Sequence, residues 1–171
     1  KSRILEYIKN YNNILHFTYN RVQEGKRKHK DITALQNSMN KIFIDTKEAS
    51  YSLALLPDER KNEILNILAD RIIEEKDSLL QANAKDLERM DRENPLYDRL
   101  LLTEKRLEDI AADMRHVALL PSPLNKVTNE RTLQNGLYIR RISVPFGVIG
   151  VIYEARPNVS FDVFSLCFKS G

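Results

Sequence analysis

Val144-Pro145-Phe146-Gly147-Val148-Ile149-Gly150-Val151-Ile152-Tyr153-Glu154-Ala155-Arg156-Pro157-Asn158-Val159 is the stretch on which the reading of this chain turns. From Phe146 to Tyr153 it is almost wholly apolar, and so short a run reads as an interior strand of a parallel sheet, covered on both faces. Arg156-Pro157-Asn158 then reads as a loop. Residues 159–169 read as an amphipathic helix carrying Phe161, Phe164, Leu166, Cys167 and Phe168. Immediately upstream the period is two. Residues 126–133 and 137–144 are strand candidates, joined by Gln134-Asn135-Gly136, and Asn-Gly between such runs is a strong hairpin signal.

Before Pro121-Ser122-Pro123 the period is helical. Leu107, Ile110, Ala111, Met114, Val117 and Ala118 form one apolar stripe, and Thr103 stands where an N-cap belongs. Pro57-Asp58-Glu59-Arg60 opens an earlier helix, because proline in a first turn loses no hydrogen bond and acidic residues suit the N-terminal dipole. Its apolar stripe is Ile64, Leu65, Ile67, Leu68, Ile72 and Ile73, and Lys61 is assigned to the solvent face. Residues 79–90 predict a short helix, residues 32–56 a longer one ending before Pro57, and residues 1–20 another. Helices, hairpin, buried strand and helix in that order are the opening of an α/β domain.

The chain has 171 residues with 27 Lys+Arg against 24 Asp+Glu, 3 His and 1 Cys. That length buries a core without staples, and one cysteine makes no internal disulfide and no zinc set with three scattered histidines. Residues 1–30 hold eight Lys/Arg and two Asp/Glu, whereas the remainder holds 19 and 22, so the net charge of +3 comes from the first thirty residues. The basic run Lys26-Arg27-Lys28-His29-Lys30 has no interleaved aromatics, which disfavours nucleic acid as a partner. No run of 18 apolar residues occurs and no apolar segment follows a basic start, so neither a membrane span nor a signal peptide is expected, and the cytoplasm is the expected location.

The opening stretch, with Glu48-Ala49-Ser50, Ala82-Asn83-Ala84-Lys85-Asp86-Leu87, Asp98-Arg99-Leu100-Leu101-Leu102-Thr103 and Ser165-Leu166-Cys167-Phe168-Lys169-Ser170-Gly171, resembles the gamma-glutamyl phosphate reductase family of the aldehyde dehydrogenase superfamily. The resemblance runs over about residues 42–171 and covers the family's N-terminal part. It implies an incomplete aldehyde-dehydrogenase-like cofactor domain. Residues 1–38 would be a helical extension with a basic segment, and 39–123 the N-terminal helices. Residues 124–144 would be an oligomerisation-type hairpin, and 145–171 the truncated start of the cofactor-binding core.

The activity implied is that of an oxidoreductase of proline biosynthesis. Glutamate-5-semialdehyde dehydrogenase (phosphorylating) reduces L-glutamate 5-phosphate with NADPH to the semialdehyde. A thiolate attacks the acyl phosphate and a hydride then reduces the thioester. The nucleophilic cysteine is expected beyond Gly171, so the chain alone is expected to be inactive. Cys167, in an apolar stripe, reads as packing. The resemblance implies Asn158 as oxyanion donor, Arg156 for a substrate carboxylate or phosphate, and Tyr153, Glu154 and Ala155 along the cofactor. Beside this, Asn158 also reads as a helix cap, a role that can coexist with the first, Arg156 as a partner of Glu154 or of an acidic residue elsewhere, and Lys169 as a solvated helix end rather than a cofactor-phosphate ligand. Metal is not expected, and a homo-oligomer through residues 126–144 is. The competing class is a non-catalytic helical interaction module or a split-gene remnant.

Overall fold

A computed structural model describes residues 29–153 and 156–171, with side chains from Gln36 onward. The helix expected over residues 1–20 and the basic run through Lys28 lie outside the described residues. The chain divides into two compact units between Ala54 and Leu55. In the first, α1 spans His29–Ala54. The second holds α2 (Asp58–Glu74), α3 (Lys76–Leu87), α4 (Tyr97–Leu100), α5 (Glu104–Leu119), β1 (Val127–Thr132), β2 (Tyr138–Ile142) and α6 (Pro157–Ser170).

The core of the second unit forms where α2, α5 and α6 pack together. Leu65, Ala69 and Ile72 of α2 meet Leu107, Ile110, Ala111, Met114 and Ala118 of α5, all buried, while Phe161, Phe164 and Phe168 of α6 close the third side. Ala69, Ala111 and Ala118 present methyl groups only, which lets the helix backbones approach. Phe164 and Phe168, one turn apart, stack with ring centroids 5.3 Å apart. The start of α5 is as the sequence predicts: the Arg106 amide donates to Thr103 Oγ1 at 3.2 Å. The Arg106 side chain also donates at 2.6 Å to the carbonyls of Asp98 and Leu101, tying the loop after α4 to α5.

Asn83 does related work from α3. Its Nδ2 donates to the Leu100 carbonyl and its Oδ1 accepts from the Leu102 amide, both at 2.8 Å. One buried amide therefore satisfies both polarities of a backbone that has left its helix.

Two lysines overturn their expected places. Lys61, assigned to solvent, is 1% exposed, and Lys169, read as a solvated helix end, is 3% exposed. Lys169 Nζ donates to Asp58 Oδ2 at 2.9 Å, to Asn62 Oδ1, and to the Ala118 carbonyl at 3.3 Å, so one ammonium joins α6 to α2 and α5. A lysine stem is long and apolar, and where a carboxylate lies within reach the whole side chain can be covered.

The hairpin forms as expected. β1 and β2 pair antiparallel, with Val127 opposite Ile142 and Thr132 opposite Tyr138, and a register irregularity between Val127 and Asn129. Gly136 takes φ +85°, the left-handed conformation that the turn needs. Every residue of both strands is exposed, more than the partial burial that the alternation suggests.

The interior strand expected over 146–153 is not present. The stretch has no ladder, and Phe146 and Ile152 are fully exposed. Gly147 at φ +93° leaves the β region, and a strand exists only where a neighbour completes its hydrogen bonds; among the described residues no strand lies beside it. The α/β arrangement of helices, hairpin and trailing helix stands.

Candidate functional site

A cleft of about 320 Å³ opens where the α4 loop, α5 and the start of α6 converge. Asp98, Arg99, Arg106, Asp109, Asp113, Arg156, Asn158 and Asp162 supply its polar lining, over an apolar floor of Leu101, Leu102, Ile110 and Pro157. Helical spacing places the chemistry. Asp109 and Asp113 are one turn apart on α5, and Asn158 and Asp162 one turn apart on α6, so each pair shares a face. A second cleft of about 310 Å³ continues along the α5–α6 seam and shares Asp113 and Asp162 with the first.

α6 begins two residues earlier than the periodicity predicts. Pro157 takes the first helical position, and Arg156 stands at the cap with no side-chain capping bond. Asn158 is therefore inside the first turn, and the capping role is not the one it plays. Its Nδ2 instead donates to Asp162 Oδ2 at 3.3 Å. An amide has two N–H groups, so one remains available on the exposed side chain. Arg156 also lines the cleft and is exposed, and no ion pair involves it among the described residues. Its alternative partner Glu154, like Ala155, lies outside the described residues. Tyr153 hydrogen-bonds through its hydroxyl to Ser160 Oγ, which holds the end of the apolar stretch against α6.

Charge in the cleft is partly cancelled from within. Arg106 Nη2 pairs with Asp98 at 2.8 Å, and Lys105 with Asp109 at 3.1 Å. Asp162 has no Lys or Arg partner among the described residues. Burial first, and then the nearby Asp113 carboxylate, push its carboxyl upward, while the Asn158 amide pulls it partly back. Burial likewise pushes the Cys167 thiol up, which makes it a poor nucleophile; it is the chain's single cysteine, so no catalytic cysteine is present in these residues.

Lys169, engaged by Asp58, Asn62 and Ala118, is not free for a cofactor phosphate. His116 is exposed near Asp113, and no group of metal-binding side chains occurs among the described residues. No helix there is long and apolar enough to cross a membrane.

Asp113 and Asp162 were not among the residues that sequence reading singled out. The available signal was an acidic residue at four-residue spacing from Asn158, on the edge of an apolar stripe. What pairs it with Asp113 is helix packing, which spacing does not reveal.

No protein-family model matches the chain. It is 58% identical over 134 residues to the gamma-glutamyl phosphate reductase of Bacteroides fragilis, covering 78% of this chain and 32% of that protein. It is 61% identical over 125 residues to that of Chlorobium luteolum, covering 73% and 30%. Among solved structures, the reductase of Thermotoga maritima superposes with TM-score 0.69 at 32% identity, over 73% of this chain and 31% of that one. The enzyme of Saccharomyces cerevisiae gives 0.67 at 29% identity, over 73% and 33%. The chain spans about a third of the length of the curated relatives it matches. In sequence and in fold, the greater part of this chain matches one third of the gamma-glutamyl phosphate reductases, members of the aldehyde dehydrogenase superfamily.

Proposed function

We propose that these residues serve the reduction of L-glutamate 5-phosphate to L-glutamate 5-semialdehyde, with NADPH as reductant and the cytoplasm as its place. The observation that carries this reading is the sequence match to gamma-glutamyl phosphate reductases, together with the cleft that Arg156, Pro157 and Asn158 line. Residues 39–123 are then the N-terminal helices, 124–144 the hairpin through which copies associate, and 145–171 the start of the cofactor-binding core.

In this reading the free N–H of Asn158 donates to the oxygen that gains charge when a thiolate adds to the acyl group. A donor held in place before the reaction stabilises that charge without reorganising. Arg156 binds substrate carboxylate or phosphate, for which a planar guanidinium offers two parallel donors. NADPH supplies the hydride when bound. The described residues make no cradle for it: residues 146–153 are unpaired and Lys169 is committed elsewhere, so nothing in this chain alone sets where the nucleotide lies, and the roles of Tyr153, Glu154 and Ala155 beside it rest on the resemblance.

The test is an intact-mass measurement of the natural protein beside an assay with glutamate 5-semialdehyde, phosphate and NADP⁺. Phosphate-dependent NADPH formation by a protein of reductase size, lost in Asn158→Ala, supports the reading. A protein of reductase size that forms no NADPH with these substrates refutes it.

A further inference from the structure

We infer that Asp162 is a positioning residue for Asn158: its carboxylate holds the amide so that the second N–H is presented to the cleft. The inference rests on the reading of Asn158 as oxyanion donor and deepens it.

The backbone under Asn158 is already fixed. Pro157 stands at the first helical position with its φ set by the ring, and Asn158 follows inside the same turn. Packing does not fix the side chain, because Asn158 is exposed. An asparagine has three staggered wells about χ1 and a broad, two-fold χ2, so left alone it divides among about six arrangements. Only a minority of these aim an N–H at one given place.

Asp162 removes that freedom. It lies one turn along α6, and Asn158 Nδ2 donates to its Oδ2 at 3.3 Å. An ionised carboxylate accepts and cannot donate, so it takes the NH2 side of the amide and turns the amide carbonyl away. Asp162 is half-buried and lines both clefts, which makes it the firmer member of the pair. The coupling runs both ways. Burial and the Asp113 carboxylate favour the protonated form of Asp162, and the Asn158 amide opposes them by favouring the charged one. A pair at this spacing also supports a helix by itself, so the measurement has to separate support from aim.

The experiment is a double-variant cycle on kcat in the protein carrying this chain, with L-glutamate 5-semialdehyde, phosphate and NADP⁺. Asn158→Ala is expected to lower kcat about a hundredfold or more, the scale of a lost oxyanion donor. Asp162→Ala is expected to lower kcat about threefold to sixfold with KM unmoved, since the donor survives but is aimed only part of the time. Asp162→Asn keeps an acceptor in place and is expected to stay within about twofold of wild type. In the Asn158→Ala background, Asp162→Ala is expected to change kcat by less than about 1.5-fold, because nothing is left to aim. An equal fall in both backgrounds marks a merely structural role and overturns the inference, and so does wild-type kcat in Asp162→Ala. Asn158→Ala at wild-type kcat overturns it together with the oxyanion role. A wild-type protein of reductase size that forms no NADPH defeats the reductase reading, and this inference with it.

A second readout does not depend on turnover. In the 171-residue chain, NMR titration of the Asp162 carboxyl carbon is expected to give a higher midpoint in Asn158→Ala than in wild type, as loss of a donor to the charged form requires. An unchanged midpoint shows that amide and carboxylate are not joined, and overturns the inference even where Asp162→Ala fails to fold.

Discussion

Replacing Lys169 by methionine isolates the buried ion pair that joins α6 to the rest of its unit. Methionine nearly conserves the volume of the stem, so packing is preserved and the loss is electrostatic. Lys169 is 4% exposed in its side chain and Asp58 30%, with 2.9 Å between Nζ and Oδ2. Breaking a fully buried pair by removing one partner costs about 3–5 kcal/mol, because the other charge is left uncompensated.

Two features of this site reduce that figure. Water reaches part of Asp58, and Lys61 is a second ammonium whose charged form Asp58 already favours. Against them, Asn62 and the Ala118 carbonyl also lose their donor, and Asp58 Oδ1 has no hydrogen-bond partner even in the intact protein. The expected net loss is about 2–3 kcal/mol. For a unit of this size that is a fall in Tm of roughly 10 °C. Urea unfolding followed by circular dichroism at constant m-value measures it.

The double variant Asp58→Asn with Lys169→Met separates pair from packing. Its destabilisation should fall short of the sum of the single variants by about 1–2 kcal/mol. A Lys169→Met variant within about 0.5 kcal/mol of wild type, or strict additivity, would refute the claim that this ammonium holds the three helices together.

Other consequences follow from buried groups nearby. Burial, and then the like charge of Lys169, hold the Lys61 pKa below 10.5, with Asp58 opposing them. The unfolded chain therefore binds more protons in the window between that lowered value and 10.5, so stability should rise with pH across it, and Lys61→Met should flatten the rise. Urea midpoints from pH 7 to 10.5 show whether it does. Asn83→Ala strands the Leu100 carbonyl and the Leu102 amide together, at a cost of about 2–3 kcal/mol, and should raise amide exchange at Leu102 before elsewhere. Cys167, with its thiol pushed up by burial, should react with a disulfide reagent at neutral pH far more slowly in the native chain than in urea. Labelling at the same rate in both would contradict its assignment as packing.

Local signals decided the elements whose causes are local. Thr103 caps α5 because a hydroxyl three residues before an amide needs only its own turn. Asn135-Gly136 closes the hairpin because Gly136 accepts a positive φ wherever it stands. The stripe of Leu107, Ile110, Ala111, Met114 and Ala118 is buried as its spacing predicts, since one face of a helix is a property of the helix.

Other outcomes depended on neighbours far along the chain. Residues 146–153 carry the composition of an interior strand, yet a strand is a relation between two segments, and among the described residues none lies beside this one. Lys61 and Lys169 look solvent-facing by charge, and only the meeting of α2, α5 and α6 around Asp58 buries them. In the cleft, Arg156 and Asn158 could be picked out because they sit together in one recognisable stretch. Asp113 and Asp162 could not, because what relates them is the packing of two helices, and no spacing in the amino-acid sequence encodes the distance across that seam.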